Sequence, residues 1–245
     1  MKNLENRRTI RQYASRDVSD VLLHSLLSKA ERTQTMGNLQ LYSVIITRDS
    51  AKKMELAPAH FNQPMVTQAP VVLTVCADFR RTSQWAKFRN AVPGYGNFLS
   101  FMNAATDALL FTQTFCNLAE EEGLGYCFLG TTVYMPEQII KTLKLPKLVM
   151  PVATITLGWP DENPPLSDRL PLLSVIHNET YHDYTRAKID KFYQEKENLP
   201  VNQEFVRINE KETLAQVFTD IRYTQKDNEA MSEGLLKALK QQGFL

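Results

Sequence analysis

The sequence predicts an α+β protein, and three observations predict it. Four short runs rich in β-branched and apolar residues read as buried strands: LYSVIITR at about 41–48, PVVLTVCAD at about 70–78, a short run at about 126–129, and PVATITLGW at about 151–159. Between and before them lie stretches whose apolar residues recur at helical spacing. No self-similarity appears at periods of about 20–50 residues, which sets the chain apart from solenoids and propellers.

Taken in order, the elements have local reasons. Ser19 suits a helix N-cap, with Val18 before it and Leu23 after it as a hydrophobic staple. Leu22, Leu23, Leu26, Leu27 and Ala30 then share one face, so 20–32 is an amphipathic helix. QTMGNLQ is polar with a glycine and reads as a loop. Residues 79–97 mix charge, aromatics, proline and glycine and read as a surface excursion. From Phe98 to Glu122 there is no proline or glycine and almost no polar face, so this long helix is buried in a core or a subunit interface. Gly123 stops it before the short strand. MPEQIIKTLKLP is a short helix opened by Pro136. After the last strand, PDENPPLSDRLP holds four prolines in 12 residues and can form neither helix nor strand interior. Residues 180–245 read as mainly polar helix, too thin in apolar residues for an independent domain. The expected division is a core over 1–179, including the 79–97 excursion, and a helical extension over 180–245 that wraps the core or a partner subunit.

Composition removes several function classes. The chain has 245 residues, 43% hydrophobic and 22% charged, which describes a folded globular protein of one or two domains. Twenty-eight Lys and Arg balance 27 Asp and Glu, so no basic excess points to nucleic acid. No apolar run approaches the roughly 20 residues of a membrane span, and the N-terminal string MKNLENRRTI has no apolar signal region. A soluble, cytoplasmic protein is the expectation. Cys76, Cys116 and Cys127 form no CxxC and sit in apolar stretches, so they read as core residues. His24, His60, His177 and His182 are scattered and suggest no metal site. There is no GxGxxG after a strand, no phosphate-loop motif, no HExxH and no GxSxG.

One constellation carries chemistry. In an extended conformation, Arg7, Thr9 and Arg11 of RRTIRQY alternate onto one side. Two guanidiniums and a hydroxyl suit a phosphate dianion and an electron-rich ring edge. Taken with QTMGNLQ, NQPMVTQAPVVLTVCAD, EEEGLGYCFLG and LGWPDENPPLSDRLP, in this order and spacing, the string resembles the nitroreductase family of FMN-dependent oxidoreductases. The resemblance covers about residues 5–185 and is nearest to the oxygen-insensitive NADPH nitroreductase and NADPH–flavin oxidoreductase branch.

The resemblance implies a central mixed, mainly antiparallel sheet flanked by helices, in an intertwined homodimer. It implies FMN as cofactor and NADPH, or NADH, as co-substrate. Within the first motif, Arg7, Arg8, Thr9 and Arg11 would contact the cofactor, Arg7 and Thr9 at the phosphate and Arg11 at the N1–C2 edge of the ring. Gln63 would meet the flavin pyrimidine. Phe128, Leu129, Gly130 and Thr131 would form the wall beside flavin N5, with Thr131 in place of a second glycine. Thr35 would reach the cofactor from the partner subunit. Ser167 and Arg169 fall in the late phosphate motif. There the family pattern has a lysine before the arginine, and this chain has serine followed by Asp168. The lost contact corresponds to about 1–2 kcal/mol of cofactor binding. Arg222 and Lys226 are either contacts for the nicotinamide nucleotide or solvated helix-face cations. No side-chain nucleophile or base is implied: hydride passes through the flavin to nitroaromatics, quinones or flavins in a ping-pong cycle. Two other readings fit the same fold, a specialised dehalogenating or flavin-fragmenting reaction and a flavin-binding protein without turnover. The 79–97 segment, with Trp85, Phe88 and Tyr95, would be either a substrate lid or a cover for the dimer surface.

Overall fold

The structure, a computed structural model, describes residues 4–245. The first three residues of the N-terminal string read above lie outside them. Two compact units make up the chain. The larger takes it as far as Pro165 and adds Met231–Leu245; the smaller is Leu166–Ala230.

In the larger unit, α1 (Asp20–Ala30) precedes β1 (Tyr42–Thr47), α2 (Ser50–Leu56), α3 (Pro64–Gln68), β2 (Val71–Asp78) and α4 (Arg80–Lys87). Then come α5 (Phe98–Glu121), β3 (Gly125–Leu129), α6 (Pro136–Leu143) and β4 (Val149–Gly158). The strands form one sheet in the order β1-β2-β4-β3. The sheet was expected to be mixed and mainly antiparallel; among the described residues every pairing is antiparallel. The two central strands, β2 and β4, are buried at every position. That is why their sequences are continuous apolar runs without alternation.

The capping logic holds where it was legible. The Ser19 hydroxyl accepts the Leu22 amide, and Val18 and Leu23 are both fully buried as the staple. Asn97 opens α5 by accepting the Ser100 amide at 2.9 Å. One face of α5 carries Phe101, Ala104, Ala108, Phe111 and Phe115 into the main core with β2, β4 and α1. The opposite face leaves Leu99, Met102, Leu109 and Leu110 exposed. The expected all-round burial is therefore half met within one chain.

The excursion at 79–97 is not wholly irregular, because α4 occupies its first half. Asp78, the last residue of β2, supplies the cap: its carboxylate accepts the amides of Arg80 at 2.8 Å and Arg81 at 3.2 Å. Tyr95 stacks on Phe79 with ring centroids 4.6 Å apart, while Trp85 and Phe88 are exposed. Only the latter two of the three lid aromatics remain open.

The smaller unit holds α7 (Arg186–Asn198), α8 (Pro200–Ile208), α9 (Leu214–Gln216) with its reciprocal Thr213–Gln216 cap, and a π-helical turn at Val217–Arg222. Its last helix, α10 (Gln225–Gln242), enters the larger unit's sequence at Met231. The domain boundary expected at 179/180 is thus displaced. The break follows Pro164-Pro165, and the C-terminal residues rejoin the core. Leu239 and Phe244 are buried in the main cluster, and Phe244 lies against Phe101 with centroids 5.6 Å apart. The Gln242 amide donates to Pro146 O and Val149 O. Removing these apolar groups from water outweighs the polar character of the rest of that helix.

Candidate functional site

The basic string near the N-terminus is built into the sheet. The Ile10 amide donates to Tyr126 O at 3.0 Å, Ala14 to Trp159 O at 2.9 Å, and Asp161 to Gln12 O at 3.0 Å. The segment therefore crosses β3 and the exit of β4. Two glycines make its seat. A Cβ on Gly125 would stand 2.5 Å from Ile10 Cγ1, and one on Gly158 would stand 2.8 Å from Tyr13 Cδ1. Only glycine permits this approach of one backbone to the other's side chains. The Tyr13 hydroxyl is held at 2.7 Å from Thr156 Oγ1, and burial pushes its pKa up. Glu162 completes the clamp: its carboxylate accepts the Gln12 amide at 3.0 Å and the Arg11 amide as well.

The side chains of the string divide. Ile10 is buried. The Arg8 guanidinium turns to the backbone, donating from Nε to Pro164 O at 2.7 Å and from Nη1 to Asn6 O at 2.9 Å. Two of its nitrogens are thereby committed to structure. Arg7 lies over the Tyr126 ring, 5.8 Å from its centroid. Arg11 is exposed, with its guanidinium beside Cys127; burial raises that thiol's pKa and Arg11 opposes the shift. Thr9 is half-buried between them. A cavity of about 420 Å³ opens here, lined by Arg7, Arg8, Glu120 and Glu162 among others, so its charge is mixed.

Strand β3 carries the next group. Phe128 is exposed and Leu129 is buried with Leu56, Met65 and Ile139. Past the strand end, no described residue lies within 4 Å of where a Gly130 Cβ would stand. The Thr131 hydroxyl is 2.8 Å from His60 Nδ1, and the Gln63 side-chain amide donates to His60 O at 3.0 Å. His60 is fully buried, and burial lowers its pKa from 6.5 to about 4. Arg7, Arg8, Thr9, Arg11, Phe128, Leu129, Gly130, Thr131 and Gln63 thus belong to one connected edge.

Thr35 stands apart from that edge. Its hydroxyl accepts the Gln40 amide at 3.3 Å. Its loop hangs on buried Asp107 of α5, which accepts the Met36 and Leu41 amides at 2.9 and 3.1 Å. In the smaller unit, Ser167 and Arg169 are exposed, and Arg169 donates to its neighbour's carbonyl, Asp168 O, at 2.7 Å. The Asp168 carboxylate pairs with Lys196 at 2.6 Å, so the acid that departs from the family pattern is neutralised. Arg222 lies over the Phe205 ring at 4.3 Å, and Lys226 is exposed.

Sequence reasoning missed Glu162, His60 and Lys196. The only early signal for any of them was the acid of the PDEN string after the β4 exit. Among the described residues, no group of three His, Cys, Asp or Glu is placed to hold a metal, and no helix is long and apolar enough to cross a membrane.

Residues 4–159 match the family model described as Nitroreductase family. Over 174 residues the chain is 33% identical to an oxygen-insensitive NADPH nitroreductase of Salmonella typhimurium, covering 71% of each protein. Over 185 residues it is 30% identical to an NAD(P)H FMN reductase of Bacillus subtilis, covering 74% of each. Among solved structures, a Bacteroides fragilis protein shares 59% identity over all of both chains with a TM-score of 0.99. NfrA2 of B. megaterium shares 28%, over 99% of this chain and 96% of that one, with a TM-score of 0.85.

Proposed function

The chain belongs to the nitroreductase family, and from that premise we propose that it uses FMN, held along the Arg7–Arg11 and β3 edge, to pass electrons from NAD(P)H to nitroaromatics, quinones or flavins. It is an NAD(P)H-dependent oxidoreductase.

The residues present fit FMN. Arg7, Thr9 and Arg11 supply cations and a hydroxyl for phosphate and ring edge, and Gln63 supplies an amide for the pyrimidine. The carrying observation is Gly130. It lies at the end of β3, on the same edge as the arginines, and no described residue comes within 4 Å of where its Cβ would stand. When bound, FMN supplies the hydride chemistry, and the protein supplies binding, orientation and field.

Each residue's part follows from where charge changes. Arg11 would hold a cation beside the ring edge, where it would stabilise the negative charge of the reduced form, so its effect would grow as the reaction proceeds. Arg7 and Thr9 would hold the phosphate, whose charge is constant, and would act on affinity. Leu129, locked in its buried cluster, fixes the turn that presents Gly130. A single face that received donor and acceptor in turn would give the ping-pong order.

The reading includes a homodimer. The exposed apolar face of α5 supports it, since a large apolar surface marks an obligate interface. So does Thr35, whose loop is tied to Asp107. That residue lies roughly 20 Å along α5 from Glu120, which faces Arg7, at 1.5 Å per residue. A cytoplasmic setting goes with this reading and with three free, buried cysteines.

Steady-state oxidation of NADPH and NADH, with nitrofurazone, menadione or FMN as acceptor, tests the proposal. Parallel double-reciprocal lines are expected. An FMN-saturated protein that oxidises neither nucleotide with any acceptor overturns it.

A further inference from the structure

His60 joins two separate turns. The first runs from Ala57 to Gln63 and is tightly wound: Phe61 and Asn62 are left-handed, with φ of 54° and 53°, and the Asn62 amide donates to Ala57 O at 2.9 Å. The second is the 3-10 turn Gly130–Val133, closed by the Tyr134 amide on Thr131 O at 3.0 Å. The His60 carbonyl accepts both the backbone and side-chain amides of Gln63, at 3.2 and 3.0 Å. Its Nδ1 meets the Thr131 hydroxyl at 2.8 Å. Phe61 and Tyr134 add a ring contact across the same two turns, with centroids 6.4 Å apart. His60 Nε2 is buried and has no hydrogen-bond partner among the described residues. A buried polar group left half-satisfied costs free energy, so packing alone does not account for histidine here; an apolar residue would fill the space at lower cost.

We infer that His60 is a positioning residue for the flavin: it locks the turn bearing Gln63 to the turn bearing Gly130, so that the pyrimidine contact and the wall beside the redox edge form one rigid unit. This rests on the FMN reading above. The link runs through the Thr131 hydroxyl. The hydroxyl is turned into the protein, toward His60, and the wall gains a tether. Among the described residues no hydrogen bond joins the pair to Arg7, Thr9 or Arg11, so its loss acts on how the two redox states are distinguished. A fixed dipole arrangement favours one charge state of a ligand over another only while its geometry is held.

The test uses purified full-length protein titrated with FMN and then poised in a redox titration. Thr131→Val removes the hydroxyl at constant shape. It is expected to change the ratio of affinities for oxidised and reduced FMN three- to tenfold, the upper value being about 30 mV in the two-electron potential, while affinity for oxidised FMN moves less than threefold. Thr131→Ser keeps the hydroxyl, and His60→Asn keeps a polar atom near the Nδ1 position. Both are expected to retain the wild-type ratio. If Thr131→Val does not fold, Thr131→Ala is read in its place by the same criterion. A wild-type ratio in the hydroxyl-deleted variant overturns the inference, as does a shift of equal size in all the variants, which would mark side-chain volume as the cause. A wild-type protein that binds no FMN sinks the underlying reading instead, which separates the two failures.

Discussion

Two short arginine-bearing strings, Arg7–Arg11 in the larger unit and Ser167–Arg169 in the smaller, are each expected from the family resemblance to meet FMN, and they are built in opposite ways. The first is stitched to β3 and β4 by backbone hydrogen bonds, seated on Gly125 and Gly158, and clamped by Glu162. The second is exposed, its arginine bonded to the neighbouring carbonyl, in a unit whose helices α7 and α8 bury no residue. A charge held by a sheet keeps its direction while a reaction proceeds, so it can favour one redox state over another. A cation against a phosphate contributes attraction that is the same before and after reduction, and salt screens it where it is exposed. Potential is therefore expected to follow Arg11 of the first string, and affinity to follow Arg169 of the second.

The largest expected effect breaks the first string's seat. Gly125→Ala drives a Cβ into Ile10 and should cost about 3 kcal/mol of stability. It should also weaken FMN binding more than tenfold as the motif shifts. Urea unfolding and an FMN titration measure both, and wild-type values would show that the seat is not needed.

Nearly as large is an acid sensitivity in the same unit. His60 has its pKa depressed from 6.5 to about 4, so the unfolded chain takes up a proton first as pH falls. Its contribution is complete above pH 6.5, declines between 6.5 and 4, and is gone below 4. The window corresponds to on the order of 3 kcal/mol. Urea midpoints from pH 7 to 4 should fall more steeply for wild type than for His60→Asn; equal slopes would contradict the assignment.

Substitutions at the two arginines separate the two roles. Arg11→Ala should lower the flavin midpoint potential by about 30 mV, equivalent to 1.4 kcal/mol. Arg169→Ala should leave the potential alone and raise the FMN dissociation constant about tenfold. The reverse pattern in redox titrations would exchange the roles of the two strings. The smallest effect belongs to the exposed pair. Lys196→Ala frees the Asp168 carboxylate, and FMN affinity should drop by less than about 1 kcal/mol. The loss should vanish in high salt, and a salt-independent loss would mean a buried contact.

The same contrast explains what could be read from the sequence. The four strands, α1, α5 and α6 announce themselves because their patterns are local: a run, a stripe, a cap at Ser19, a proline at Pro136. RRTIRQY was legible for the same reason, as alternation within five residues. Helix α4 escaped because its cap, Asp78, is also the end of a strand. Glu162 and His60 escaped because each acts on a partner far along the chain, Glu162 on Arg11 and His60 on Thr131. A lone histidine in PAHFNQP carries no local mark of such a partner. The return of the C-terminus into the core was hidden by composition. Leu239 and Phe244 are few among polar neighbours, and only the fold shows that they are buried.

The central claim, that the edge formed by Arg7–Arg11, β3 and Gly130 holds FMN, is tested most directly by the flavin content of the purified protein. The expected result is a yellow protein with one FMN per chain, or a colourless one that takes up one added FMN per chain. A colourless protein that binds no added FMN would contradict the account.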